Sequence, residues 1–235
     1  MSKLIGIIGA KGGVGKTTLA LNLGCSFTQA GRSVVIVDGD LHTPHISLYL
    51  GYMHPPRSIH DVLSCKSQLK EALYIHASGV RVIPGSISYD AITRVSYTEF
   101  GMLLTQLKEV GELILVDTSS GFGPQLDAVL KGVDAVIVVT TPDLVSQADA
   151  LKSVLHAKQM GKEILGLVVN RTKSSTDLKS CAAFIGVPVL GEIPDDPLME
   201  NAVAVYHPLI FAYPEAPASK SFSLIASRLR GVYYG

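Results

Sequence analysis

Glycines, lysines and threonines crowd one short run near the amino terminus, Gly9-Ala10-Lys11-Gly12-Gly13-Val14-Gly15-Lys16-Thr17-Thr18. The chemistry that suits such a run is the gripping of phosphate. The backbone N–H groups of Gly12, Gly13, Val14, Gly15, Lys16, Thr17 and Thr18 can converge on anionic oxygens at the positive end of a following helix. The spacing meets the pattern G-x-x-x-x-G-K-[ST], except that Ala10 holds the strict first glycine position and Gly9 stands just before it. In that pattern Lys16 neutralises β- and γ-phosphates and Thr17 gives its hydroxyl to Mg²⁺. A second feature agrees. Leu113-Ile114-Leu115-Val116-Asp117 is an apolar strand closed by an acid, the Walker-B form, whose Asp117 would hold Mg²⁺ through water.

Lys11 exceeds what the general pattern asks. The run Lys-Gly-Gly-x-Gly-Lys-Thr-Thr resembles the deviant phosphate loop of the MinD/ParA family of P-loop ATPases, closest to its MinD branch. The resemblance implies that ATP favours a sandwich homodimer in which Lys11 reaches the partner's phosphates and stabilises charge during γ-phosphoryl transfer. Val37-Asp38-Gly39-Asp40 resembles the family's D-x-D switch I, which implies that Asp40 positions or deprotonates the attacking water and that Asp38 lies near the Mg²⁺ shell. The family's Asn in switch I is replaced by His45, so hydrolysis is either slowed or made pH-sensitive, or His45 takes no part. Asp117 to Gly121 resembles switch II, with the Gly121 N–H offered to a γ-phosphate. Val168-Val169-Asn170-Arg171 and Gly191-Glu192-Ile193-Pro194-Asp195 resemble the segments that read adenine through the Asn amide and flank the base with backbone. Asp149, in a stretch resembling the dimer face, is a candidate partner for Lys11.

The family's outputs differ, and the sequence weighs them. A MinD-like positioning ATPase, acting in cell division or a related process with a protein activator or cargo, is the leading reading. Its membrane contact would come through residues 219–235, where Phe222, Ile225 and Leu229 share a helical face; the alternative is that this helix closes the core. The chain then stops without the longer basic, apolar tail usual in MinD anchors. A ParA-like partition ATPase needs a basic surface for DNA, whereas Lys plus Arg and Asp plus Glu balance at 20 each. Iron–sulfur relatives use paired cysteines, and Cys25, Cys65 and Cys181 form no C-x-x-C pair. That reading is set aside. A weakly hydrolysing adaptor that works by conformation alone stands as the reading from another class.

Such a site needs strands to carry it. Apolar runs recur at Leu4–Ile8, Ser33–Val37, Val80–Ile83, Leu113–Val116, Ala135–Val139 and Ile164–Val169, separated by helix-length segments at Lys16–Ala30, Thr98–Glu109, Leu144–Met160 and Thr176–Ile185. Strands buried on both faces and alternating with helices predict a single α/β P-loop domain over 1–235, with a mostly parallel sheet flanked by helices on both faces. Hydrophobic residues make up 47% against 17% charged, enough for a large core and few tails. The absence of a leader-like h-region, of a membrane-length apolar run and of a disulfide pattern suggests a cytoplasmic protein, peripheral to the inner face of the membrane at most.

Overall fold

The computed structural model describes residues 2–233. Eight strands form one sheet: β1 (Lys3–Ile8), β2 (Val34–Gly39), β3 (Tyr74–Ile75), β4 (Arg81–Ile83), β5 (Leu113–Thr118), β6 (Ala135–Thr140), β7 (Glu163–Thr172) and β8 (Val189–Pro194). The helices between them are α1 (Lys16–Gln29), α2 (Ile46–Tyr49), α3 (Ile59–Leu63), α4 (Tyr89–Ile92) and α5 (Tyr97–Gln106). They continue as α6 (Pro124–Gly132), α7 (Leu144–Gln159), α8 (Leu178–Ile185), α9 (Leu198–Ala204), α10 (Leu209–Ala212) and α11 (Pro217–Tyr233). Strand order is β3-β4-β2-β5-β1-β6-β7-β8, parallel throughout except for the short β3–β4 pair at one edge.

The apolar runs become strands because their side chains are needed on both faces of the pleat. Ile5, Ile7, Ile36, Leu115 and Ile137 point to one face, beneath α1, α10 and α11; Leu4, Ile8, Val37, Val116 and Val138 point to the other, beneath α5, α6, α7 and α8. Chain order splits around β1, which lies between β5 and β6. In open α/β sheets ligands bind beyond the carboxyl ends of strands at such a switch point. The phosphate loop leaves β1 there.

The structure adds one strand and decides between the two readings of the last helix. The segment Gly191 to Pro194 is part of strand β8, whose half-exposed alternation at the sheet edge gives no continuous apolar run. The apolar face on which membrane contact through 219–235 rested is turned inward: Phe222, Ile225 and Leu229 are buried in the core beside Leu19, Leu23 and Phe27 of α1. That helix is the closing element of the core. Among the described residues, no helix is long and apolar enough to cross a membrane; Tyr234 and Gly235 lie outside the described residues. Phe222→Ala should therefore cost about 3–5 kcal/mol in denaturant unfolding. A loss below ~1 kcal/mol would mean that α11 is not part of the core.

Candidate functional site

The phosphate loop is shaped by two glycines with positive φ, Gly13 at 75° and Gly15 at 101°. Gly15 is also the residue before α1, and a Cβ there would run into the amide of Asn170. The helix start has no side-chain cap and no acidic residue in its first turn. Its free N–H groups and dipole therefore await an anion. Lys16 is buried, and its Nζ reaches back across the loop to the Lys11 carbonyl at 3.5 Å. Burial lowers its pKa, while the Asp117 and Asp40 carboxylates nearby act in the opposite sense.

Asp117 sits at the end of β5, directly across the ladder from Asp38 on β2. Thr17 Oγ1 donates to Asp117 Oδ2 at 2.6 Å, and Asp117 Oδ1 is buried with no hydrogen-bond partner. Burial drives the Asp117 pKa up to about 7, against the Thr17 hydrogen bond and Lys16. Asp38 is pushed well above the usual carboxylate range, first by burial and then by Asp117. Both Asp38 oxygens are already engaged, accepting from the Asp40 and Ile46 N–H groups. A hydroxyl beside a buried carboxylate with a spare oxygen, facing a second carboxylate, fits a hard divalent cation such as Mg²⁺. The spare oxygen belongs to Asp117 rather than Asp38.

The carboxylate of Asp40 currently caps its own loop, accepting from the Thr43 N–H and hydroxyl at 3.0 Å each. It nonetheless lines a cleft of about 340 Å³ together with Lys16, Thr17, His45, Ser120 and Arg171. Gly121, expected to hold its N–H free for a γ-phosphate, donates it to the Ala10 carbonyl at 2.6 Å. That bond ties the switch II loop to the phosphate loop. Asn170 donates to the Val14 carbonyl at 2.8 Å and accepts from the Arg171 N–H. It thus braces the loop while also lining, with Arg171, Pro194 and Asp195, an adjoining hollow of about 590 Å³. The base-reading candidates are brought together there.

Lys11 forms an ion pair with Asp143 at 3.0 Å, and Asp149 pairs instead with Lys152. Within the chain, therefore, the partner of Lys11 is not Asp149. Asp143 caps α7, accepting from the Ser146 N–H, and hydroxyl hydrogen bonds from Thr141 and Ser146 hold its carboxyl far below the usual range. The cap was legible in the order Thr-Pro-Asp before a helix, but its ion pair with a residue 132 positions away was not.

A family model for ParA, described as NUBPL iron-transfer P-loop NTPase, matches residues 1–230. The chain belongs to the ParA family of P-loop NTPases. An ATP-binding protein of Methanocaldococcus jannaschii is 33% identical over the whole chain and 90% of its own length. The Mg-ADP complex of the septum site-determining protein MinD from Pyrococcus horikoshii superposes with a TM-score of 0.94 at 28% identity, covering 100% of this chain and 98% of that one. An iron–sulfur cluster carrier of Saccharolobus solfataricus is 27% identical over 96% of this chain and 82% of its own. The iron-transfer branch set aside on cysteine spacing is thus among this ParA-family chain's relatives. Here Cys25 and Cys181 are buried and Cys65 is exposed.

Proposed function

We propose that this ParA-family protein binds Mg-ATP and hydrolyses it, switching between states as MinD-type positioning ATPases do. The observation that carries the reading is that Lys16, Thr17 and Asp40 line one cleft at the ends of β1, β2 and β5, while Asp117, buried behind it and bonded to Thr17, keeps one oxygen unpartnered. Thr17 and Asp117 would hold Mg²⁺, which when bound neutralises phosphate charge. The amides of the phosphate loop and Lys16 hold the phosphates, and Asn170 with Arg171, Pro194 and Asp195 receives adenine. Asp40 must release Thr43 before it can take a proton from water. Hydrogen bonds to a carboxylate are worth about 1.5–3 kcal/mol each, so the release must be offset by contacts made in the nucleotide-bound state.

Lys11 must likewise leave Asp143 to reach the phosphates of a second copy. Both side chains are about half exposed, and exposed ion pairs are worth roughly 0–1 kcal/mol, so dimerisation can break this one. Asp40→Ala should lower phosphate release about 10²–10⁴-fold with nucleotide affinity little changed. If wild type and variant are equally inert, with and without lipid, the hydrolysis reading fails and the adaptor reading replaces it. ATP-dependent co-sedimentation with anionic vesicles, set against binding to random duplex DNA, separates MinD-like from ParA-like output.

The iron-transfer description of the family model favours a second reading, a carrier of iron–sulfur clusters. Cys65, the exposed cysteine, would then supply at most two of a cluster's four ligands from two copies. Reconstitution with iron and sulfide followed by visible absorption tests this, and loss of any cluster band in Cys65→Ser would support it.

A further inference from the structure

The short segment from Gly121 to Gln125 holds both flanks of the nucleotide cleft. Its first residue donates to the Ala10 carbonyl of the phosphate loop. Its last, Gln125, is the second residue of α6 and is buried; its Nε2 donates to the Gly39 carbonyl at 2.6 Å. Gly39 lies between Asp38 and Asp40, so this peptide sets where the Asp40 side chain begins. No side chain is tolerated at Gly39, because a Cβ would meet the Asp117 carbonyl and the Val116 side chain. The strand end is therefore pressed against β5 and held by Gln125. Between the two switch loops lies an open cleft of about 280 Å³, lined by Asp40, Thr43, Gly121, Phe122 and Gln125.

We infer that Gln125 is a positioning residue for turnover, transmitting the state of the 119–123 loop to Asp40 through the Gly39 carbonyl. The inference rests on the hydrolytic reading of the site but concerns a residue outside the phosphate loop and the carboxylates. A loop that gives up Ala10 moves the start of α6, and the buried amide, which has Gly39 as its acceptor, moves switch I with it. A single rigid link of this kind couples the two loops without contacting nucleotide.

The test uses Gln125→Leu, which cannot donate, and Gln125→Glu, which donates only when protonated. Thermal unfolding first checks that each is folded. Hydrogen exchange then reads the amides of residues 40–43, and kcat, KM and ADP affinity are measured in parallel. In Gln125→Leu the 40–43 amides should exchange about tenfold faster and kcat should fall about tenfold, the worth of one buried hydrogen bond, with ADP affinity held within about twofold. In Gln125→Glu, kcat should recover as pH falls. Unchanged exchange at 40–43 overturns the inference, as does a parallel fall in ADP affinity. If the wild type releases no phosphate, the hydrolytic reading fails, while the exchange measurement still decides whether Gln125 holds switch I.

Discussion

Asp117→Asn is expected to make the nucleotide-free protein more stable while abolishing its response to Mg²⁺. The Asp117 carboxyl is raised to about 7 by burial, and Asp38 faces it across the ladder. A carboxyl whose folded pKa lies above its unfolded value of about 3.9 favours folding most below that unfolded value. That contribution is lost as pH rises towards 7. Metal-free protein should therefore be less stable at pH 8 than at pH 5, by an amount on the order of 3 kcal/mol from this group. Asparagine removes the ionisation but places an amide N–H where the carboxylate oxygen has no partner, which offsets part of the gain. A net stabilisation of about 1–3 kcal/mol at pH 8 follows. In the same variant, Mg²⁺ should no longer increase ADP affinity or raise Tm. Unfolding with chelator at pH 5 and pH 8, then with Mg-ADP, measures all of this. A variant that keeps its full Mg²⁺ response would sink the assignment of the spare oxygen to the metal.

Lys16→Gln should separate phosphate recognition from base recognition. The Lys16 ammonium is buried at the start of α1, and its Nζ lies 3.5 Å from the Lys11 carbonyl. Glutamine ends one bond short of that weak contact but also removes the cost of a buried ammonium, so stability should change by less than about 1 kcal/mol. The lost charge-assisted bonds to phosphate are worth about 3 kcal/mol, roughly a hundredfold in affinity for ADP. Adenosine, which carries no phosphate, should bind wild type and variant equally. Fluorescence titration with labelled ADP and competition by adenosine reads both numbers. Equal losses for the two ligands would show that Lys16 shapes the whole pocket rather than meeting phosphate.

How much of this was legible in the sequence depends on how local each feature is. The strands carrying the site were readable because burial on both faces leaves an unbroken apolar run, as at Leu113–Val116. The phosphate loop was readable because its chemistry lies in consecutive residues. Strand β8 was hidden by Gly191 and Pro194 and by side chains that are only alternately buried. The destination of α11 could not be read, since an amphipathic face fits a protein core as well as a lipid surface. Gln125 gave no signal at all: a polar residue in a first helical turn is ordinarily solvated, and only the fold brings the Gly39 carbonyl within its reach. The same holds for Lys11, whose spacing marks it as unusual without revealing Asp143.

The packing of α11 on α1 also bears on the order in which this protein becomes competent during synthesis. The helix that seats the phosphate loop buries Leu19, Leu23 and Phe27 in one cluster with Phe222, Ile225 and Leu229, and Asn22 accepts the Ile210 N–H. At about 5–20 residues per second the ribosome delivers the loop, both switch segments and Asn170 seconds before it delivers that cover. Contacts so distant in sequence form late. An emerging chain thus carries every proposed nucleotide contact yet lacks the platform that holds them in place, and affinity for nucleotide should rise abruptly only when Phe222, Ile225 and Leu229 have joined the core.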